Sequence, residues 1–124
     1  MTTRDMALVR KILLAAEQRP AGRPPPTTVP LRIDGYDNET VAKHLEMMHE
    51  KGLIVANIFT HSEAGGALWG SVTRITWDGY DFLELARNDG VWTKALARLR
   101  NYGPGITVEL LKIALREATK NLPN

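Results

Sequence analysis

From Asp5 to Gln18 the apolar positions Met6, Val9, Leu13 and Ala16 recur at intervals of three and four, with Leu8, Ile12 and Ala15 as a second row beside them. That period predicts a helix with a broad buried stripe. The helix must stop before Pro20, because residues 20–30 carry Pro20, Pro24, Pro25, Pro26 and Pro30 and suit neither helix nor central strand. This stretch reads as an extended connector. Leu31 and Ile33 then alternate with Arg32 and Asp34, the pattern of a short edge strand closed by Gly35.

A second helix is expected from an Asp37 or Asn38 cap to about Lys51, with Val41, Leu45 and Met48 on one face and Gly52 just past its end. Leu53 to Thr60 and Val72 to Trp77 read as two strands of a hairpin, joined by a glycine-rich tip from His61 to Ser71. Asp78 is expected to cap a third helix whose apolar surface comes from Tyr80, Phe82, Leu83 and Ala86. Asp89-Gly90 breaks it, and Val91, Trp92, Ala95, Leu96 and Leu99 outline a fourth. After Gly103-Pro104-Gly105, Thr107 is expected to cap a last helix.

This order predicts an α+β fold: a winged-helix-like domain over residues 1–90 (helix, short strand, helix, β-hairpin wing), with a helical extension over 91–124 packing on it or on a second subunit. The chain has 124 residues and no cysteine, so one core can form without staples and thiolate chemistry is excluded. Met1 to Arg10 is charged, and no apolar run reaches signal-peptide or membrane-span length. A soluble cytoplasmic protein is expected, with no membrane partner.

Arg4 to Leu14 (RDMALVRKILL), Tyr36 to Ile54 (YDNETVAKHLEMMHEKGLI) and Ile75 to Trp92 (ITWDGYDFLELARNDGVW) together resemble the uncharacterised phage and bacterial family catalogued as domain of unknown function 2513. The family pattern often has His where Tyr80 stands here. The resemblance implies a winged-helix-like fold and a home in prophages or other mobile elements, without a known activity.

Net charge is only +2, but its distribution is uneven. Residues 1–36 hold six basic and three acidic residues, 37–60 two and four, 61–90 two and five, and 91–124 six and two. The middle is therefore acidic and the ends basic. Val41-x-x-His44-Leu45 running on to Gly52-Leu53-Ile54 resembles the recognition helix of winged-helix regulators entering the wing, the helix that lies in the major groove. Yet Asp37, Glu39, Glu46 and Glu50 outnumber Lys43 and Lys51 on it, and residues 60–71 hold Glu63 with no Lys or Arg. Affinity for DNA comes largely from cations on phosphates, so this face suits a basic protein partner better than duplex DNA. The protein-interface candidates are Glu39, Lys43, Glu46, Glu50 and Trp69, the last either folded onto the core or an exposed anchor.

The alternative, a winged-helix transcriptional regulator on double-stranded DNA, would draw on Lys94, Arg98, Arg100, Lys112, Arg116 and Lys120, which are equally readable as a solvated face. Val108, Leu111, Leu115, Ala118 and Leu122 form a coiled-coil-like seam that either packs within the chain or makes a homodimer.

Catalysis is not expected. His44, His49 and His61 have no metal-box spacing and read as hydrogen-bonded surface residues, while Ser62 and Ser71 lack a nucleophile-elbow setting. No phosphate-binding glycine loop is present, so no cofactor is implied. Asp78, Asp81 and Glu84 share a helical face, a row that either binds a cation or complements the positive end of the helix.

Overall fold

A computed structural model describes residues 4–18, 31–61 and 67–120. Among them are five α-helices and one antiparallel hairpin, a mixed α+β architecture: α1 (Met6–Glu17), α2 (Asn38–Lys51), β1 (Ile54–His61), β2 (Ala67–Ile75), α3 (Trp77–Ala86), α4 (Asp89–Arg98), a 3-10 helix (Arg100–Gly105) and α5 (Val108–Lys120). The proline-rich connector, the hairpin tip at 62–66 and Leu122 lie outside the described residues. The chain divides into two compact units, Met1–Tyr80 and Asp81–Asn124.

In the first unit α2 packs on both strands and on α1. Leu8, Ile12, Leu13, Val41 and Leu45 are essentially inaccessible to solvent, which is the stripe that the 3-4 spacing of α1 and α2 demands, and Ile54 of β1 is buried with them. Asp5 and Asp37 cap these helices, accepting from the backbone N–H of Leu8 at 3.1 Å and of Thr40 at 2.7 Å. Hydrogen bonds from Thr40 hold the Asp37 carboxyl below the usual carboxylate range.

Gly52 ends α2 in the left-handed region, at φ 86°, and its N–H closes back on His49 O at 3.0 Å. Leu31 to Ile33 is not a strand: among the described residues it joins the hairpin through one bond, Leu31 N–H to Gly70 O at 2.8 Å. Pairing of β1 with β2 slips between Val55 and Ala56, leaving Thr73 as an extra residue, and Asn57 Nδ2 donates to its hydroxyl at 3.1 Å.

Two boundaries differ from expectation for a physical reason. The second strand runs Ala67–Ile75, earlier than the alternation of Val72 to Trp77 indicates, because the ladder continues through Trp69 opposite Phe59 and Leu68 opposite Thr60, with the Trp69 ring stacked on Phe59, despite the neighbouring Gly70. The cap of α3 is Thr76, not Asp78. Thr76 Oγ1 accepts from Gly79 N–H at 3.1 Å and Thr76 O accepts from Tyr80 N–H at 3.0 Å. Thr76 also donates through its N–H to Leu53 O at 3.0 Å and through its hydroxyl to Gly52 O. The end of α2 and the start of α3 are thus tied to one residue.

In the second unit α5 packs on α4. Asn88 caps α4 by accepting from Val91 N–H at 3.0 Å, so Asp89 and Gly90 form its first turn. Thr107 Oγ1 accepts from Leu110 N–H at 3.1 Å, the cap expected for α5. Phe82 and Trp92 meet edge to face with centroids 6.4 Å apart inside this unit.

Gly79 tests the α2–α3 tie. A Cβ there would collide with Leu53 O and lie 2.7 Å from Ile75 Cγ2, whereas one at Gly105 meets nothing within 4 Å. Gly79→Ala is expected to lose about 1–3 kcal/mol in urea unfolding, and Gly105→Ala to leave the midpoint nearly unmoved.

Candidate functional site

Two polar residues are buried among the described ones: Ser71, whose Oγ has no hydrogen-bond partner there, and His44, which is committed to structure. His44 is 1% exposed, not a surface residue as its place on a charged helix indicates. Its Nε2 accepts from Asp5 N–H at 2.9 Å, and its Nδ1 donates to Thr40 O at 2.9 Å. Only the neutral ring protonated at Nδ1 satisfies both contacts. Asp5 in turn accepts from Tyr36 OH at 2.9 Å, and Lys11 Nζ lies 5.4 Å from the centre of the Tyr36 ring. His49, exposed, accepts through Nδ1 from Ala56 N–H at 3.1 Å, beside the register slip. These two histidines serve the backbone, and no group of three His, Asp or Glu side chains among the described residues is placed to hold a metal ion.

What remains for function is the surface. Glu39, Glu46 and Glu50 are exposed on α2 and Lys43 is half-buried, so the carboxylates lead on the open side of that helix. Val41, His44, Leu45 and Met48 form its buried side. Trp69 is not at a hairpin tip. It sits within β2, half-buried and stacked on its cross-strand partner Phe59 with centroids 4.3 Å apart, which occupies one face of the indole.

Sequence reasoning missed the exposed aromatics. Trp77 is 83% exposed and Tyr80 44%, at the first and fourth positions of α3 with exposed Asp78 between them. The signal was available: once Thr76 is taken as the cap, the buried stripe runs through Gly79, Phe82, Leu83 and Ala86, and Trp77 and Tyr80 fall on the opposite side. Tyr80 therefore does not supply buried apolar surface. Asp78, Asp81 and Glu84 are all exposed, and Glu84 Oε1 accepts from Arg87 at 2.7 Å.

In the second unit Lys94, Arg98, Arg100, Arg116 and Lys120 are exposed and Lys112 is half-buried. Lys120 pairs with Glu117 at 3.6 Å. Of the seam, Leu111, Leu115 and Ala118 have no exposure and Val108 is half-buried. Those three are consumed inside the chain, whereas Ile113 of α5 is 57% exposed.

Residues 3–105 match the family described as hypothetical protein DUF2513. The chain belongs to that family. A relative described as an uncharacterized protein from Haemophilus influenzae (strain Rd) is 27% identical over 109 residues, covering 88% of each chain. No solved structure matches. No helix among the described residues of this DUF2513 protein is long and apolar enough to cross a membrane.

Two measurements check the polar cluster of this DUF2513 chain. Truncating His44 to Ala opens a cavity and leaves Asp5 N–H unpaired, with an expected loss of about 2–4 kcal/mol in denaturant unfolding. Tyr36 has its ionisation pushed above the usual tyrosine range, first by the hydrogen bond to Asp5, then by burial and by the Asp5 charge. The unfolded chain ionises this phenol near pH 10 while the folded chain resists. Its contribution is therefore intact below about pH 10 and falls away as pH rises above that value. Tyr36→Phe is expected to flatten this alkaline limb in thermal melts between about pH 9 and 11; an unchanged limb would refute the assignment.

Proposed function

We propose that this DUF2513 protein is a non-catalytic, winged-helix-like recognition module whose open α2 face meets a basic protein surface. The observation that carries the reading is the exposure of Glu39, Glu46 and Glu50 on α2. The order α1, an extended segment bonded at Leu31 to Gly70, α2 and hairpin supports the winged-helix comparison. In DNA-binding winged helices the helix in α2's position enters the major groove. Here three carboxylates would face the phosphates there, and affinity for DNA depends on cations in that position.

Exposed Trp77 and Tyr80 add anchors of the kind that dominate protein interfaces, where buried aromatics carry most of the binding energy. The carboxylates steer a cationic partner toward them and set its register. For a protein of prophage type, a host regulatory or defence complex is the class of partner this surface fits.

The test is affinity capture from host lysate with the whole chain as bait, comparing wild type with Glu46→Lys/Glu50→Lys and with Trp77→Ala, each with and without nuclease treatment. The expected result is a protein retained by wild type and lost at least tenfold with the charge reversal, with a comparable loss for Trp77→Ala. Retention that survives the reversal, or that disappears with nuclease alone, sinks the reading in favour of a nucleic-acid-bound regulator.

A further inference from the structure

The stretch from Gly90 to Val108 holds Lys94, Arg98 and Arg100 and no carboxylate. Lys94 and Arg98 lie four residues apart on α4 and are exposed, with exposed Ala97 on the same side offering no bulk to hold a ligand away. Arg100 opens the 3-10 helix, also exposed, and two residues on stands Tyr102 at 55% exposure. None of these three cations has an ion-pair partner among the described residues, in contrast to Arg87 on Glu84 and Lys120 on Glu117. Lys112 and Arg116 on α5 also have no ion pair among the described residues, but each has a carboxylate, Glu109 or Glu117, within three residues along the chain. Uncompensated cations in one short stretch raise the local positive potential and draw in polyanions.

Tyr102 narrows the polyanion. A phenol ring left open to solvent beside arginines contributes nothing to a purely ionic ligand, but it gives a nucleobase a face to stack on. A duplex hides its base faces and is read by an element inserted in a groove, whereas a single strand offers bases and phosphates together. We propose that the surface of α4 and the 3-10 helix binds single-stranded nucleic acid, with Lys94, Arg98 and Arg100 on phosphates and Tyr102 under a base. This site uses other residues than the acidic α2 face and stands whether or not that face binds a protein.

The experiment is fluorescence anisotropy of a fluorescein-labelled oligothymidylate of about 15 nucleotides with the full chain, at roughly 50 and 200 mM salt. Micromolar binding is expected at the lower salt, weakening steeply at the higher. Lys94→Gln with Arg98→Gln should reduce the log-log salt slope by about 1.4, since each phosphate contact to a single strand contributes about 0.7. Tyr102→Ala should weaken binding by about tenfold, Tyr102→Phe should keep most of it, and Trp77→Ala should change nothing. The substituted side chains are exposed, so thermal melts should coincide with wild type and exclude misfolding. No signal at the lower salt, binding that Tyr102→Ala leaves intact, or a duplex competing as well as the single strand would each overturn the proposal.

Discussion

The carbonyls of Gly52 and Leu53 are the point on which the first unit turns. Gly52 reverses the chain out of α2 through a left-handed backbone, and Leu53 starts the hairpin; when β2 returns, Thr76 closes on both carbonyls, by its hydroxyl and its N–H. The same hydroxyl accepts from Gly79 N–H, satisfying one of the donors left open at a helix start. One threonine therefore ends a strand, caps α3 and ties it to the end of α2. Because its side chain points inward and Gly79 presses against Leu53, the next residues along the turn must point out. The exposure of Trp77 is a consequence of this tie and not an accident of packing.

A second constraint works at the other end of α2. His44 spends both ring nitrogens on backbone groups, one from α1's cap residue and one from its own helix, and Asp5 adds Tyr36. Buried polar groups contribute little net stability when satisfied but cost a great deal when orphaned. Such a cluster acts mainly as a register device: α1 can dock on α2 in the one position that satisfies Asp5 N–H, and slippage along an otherwise greasy helix pair would strand it.

Much of the architecture was legible because it rests on local rules. The stripes of α1 and α2, the Asp37 cap, the Gly52 stop and the Thr107 cap follow from period and end chemistry. The errors share a cause. His44, Trp69 and Thr76 take their roles from partners 39, 10 and 24 residues away, respectively Asp5, Phe59 and Gly52, and a one-dimensional pattern does not show which pairs will meet. The seam in α5 was visible as apolar spacing, but whether such a row faces its own domain or a second copy depends on α4 lying across it. Charge was readable by segment, although only the side-chain geometry separates cations that are locally paired, such as Arg87 with Glu84, from those that are not.

That separation decides how the surface can be used. With a net charge of only +2, the molecule as a whole is a weak attractor of polyanions, and any electrostatic selectivity must come from segregation. The carboxylates of α2 and the cations from Lys94 to Arg100 belong to different compact units; Glu39, Glu46 and Glu50 outnumber Lys43 and Lys51 on the helix, and no carboxylate stands among the cations of the other stretch. The exposed aromatics follow the same division, Trp77 and Tyr80 with the unit that carries α2 and Tyr102 with the cationic stretch. A ring beside carboxylates is disposed to bury against a protein's cationic and apolar groups, and a ring beside arginines to stack with an anionic, aromatic polymer. The two proposed chemistries of recognition can coexist in 124 residues because neither needs a pocket, only a helix face with exposed charges beside an exposed ring.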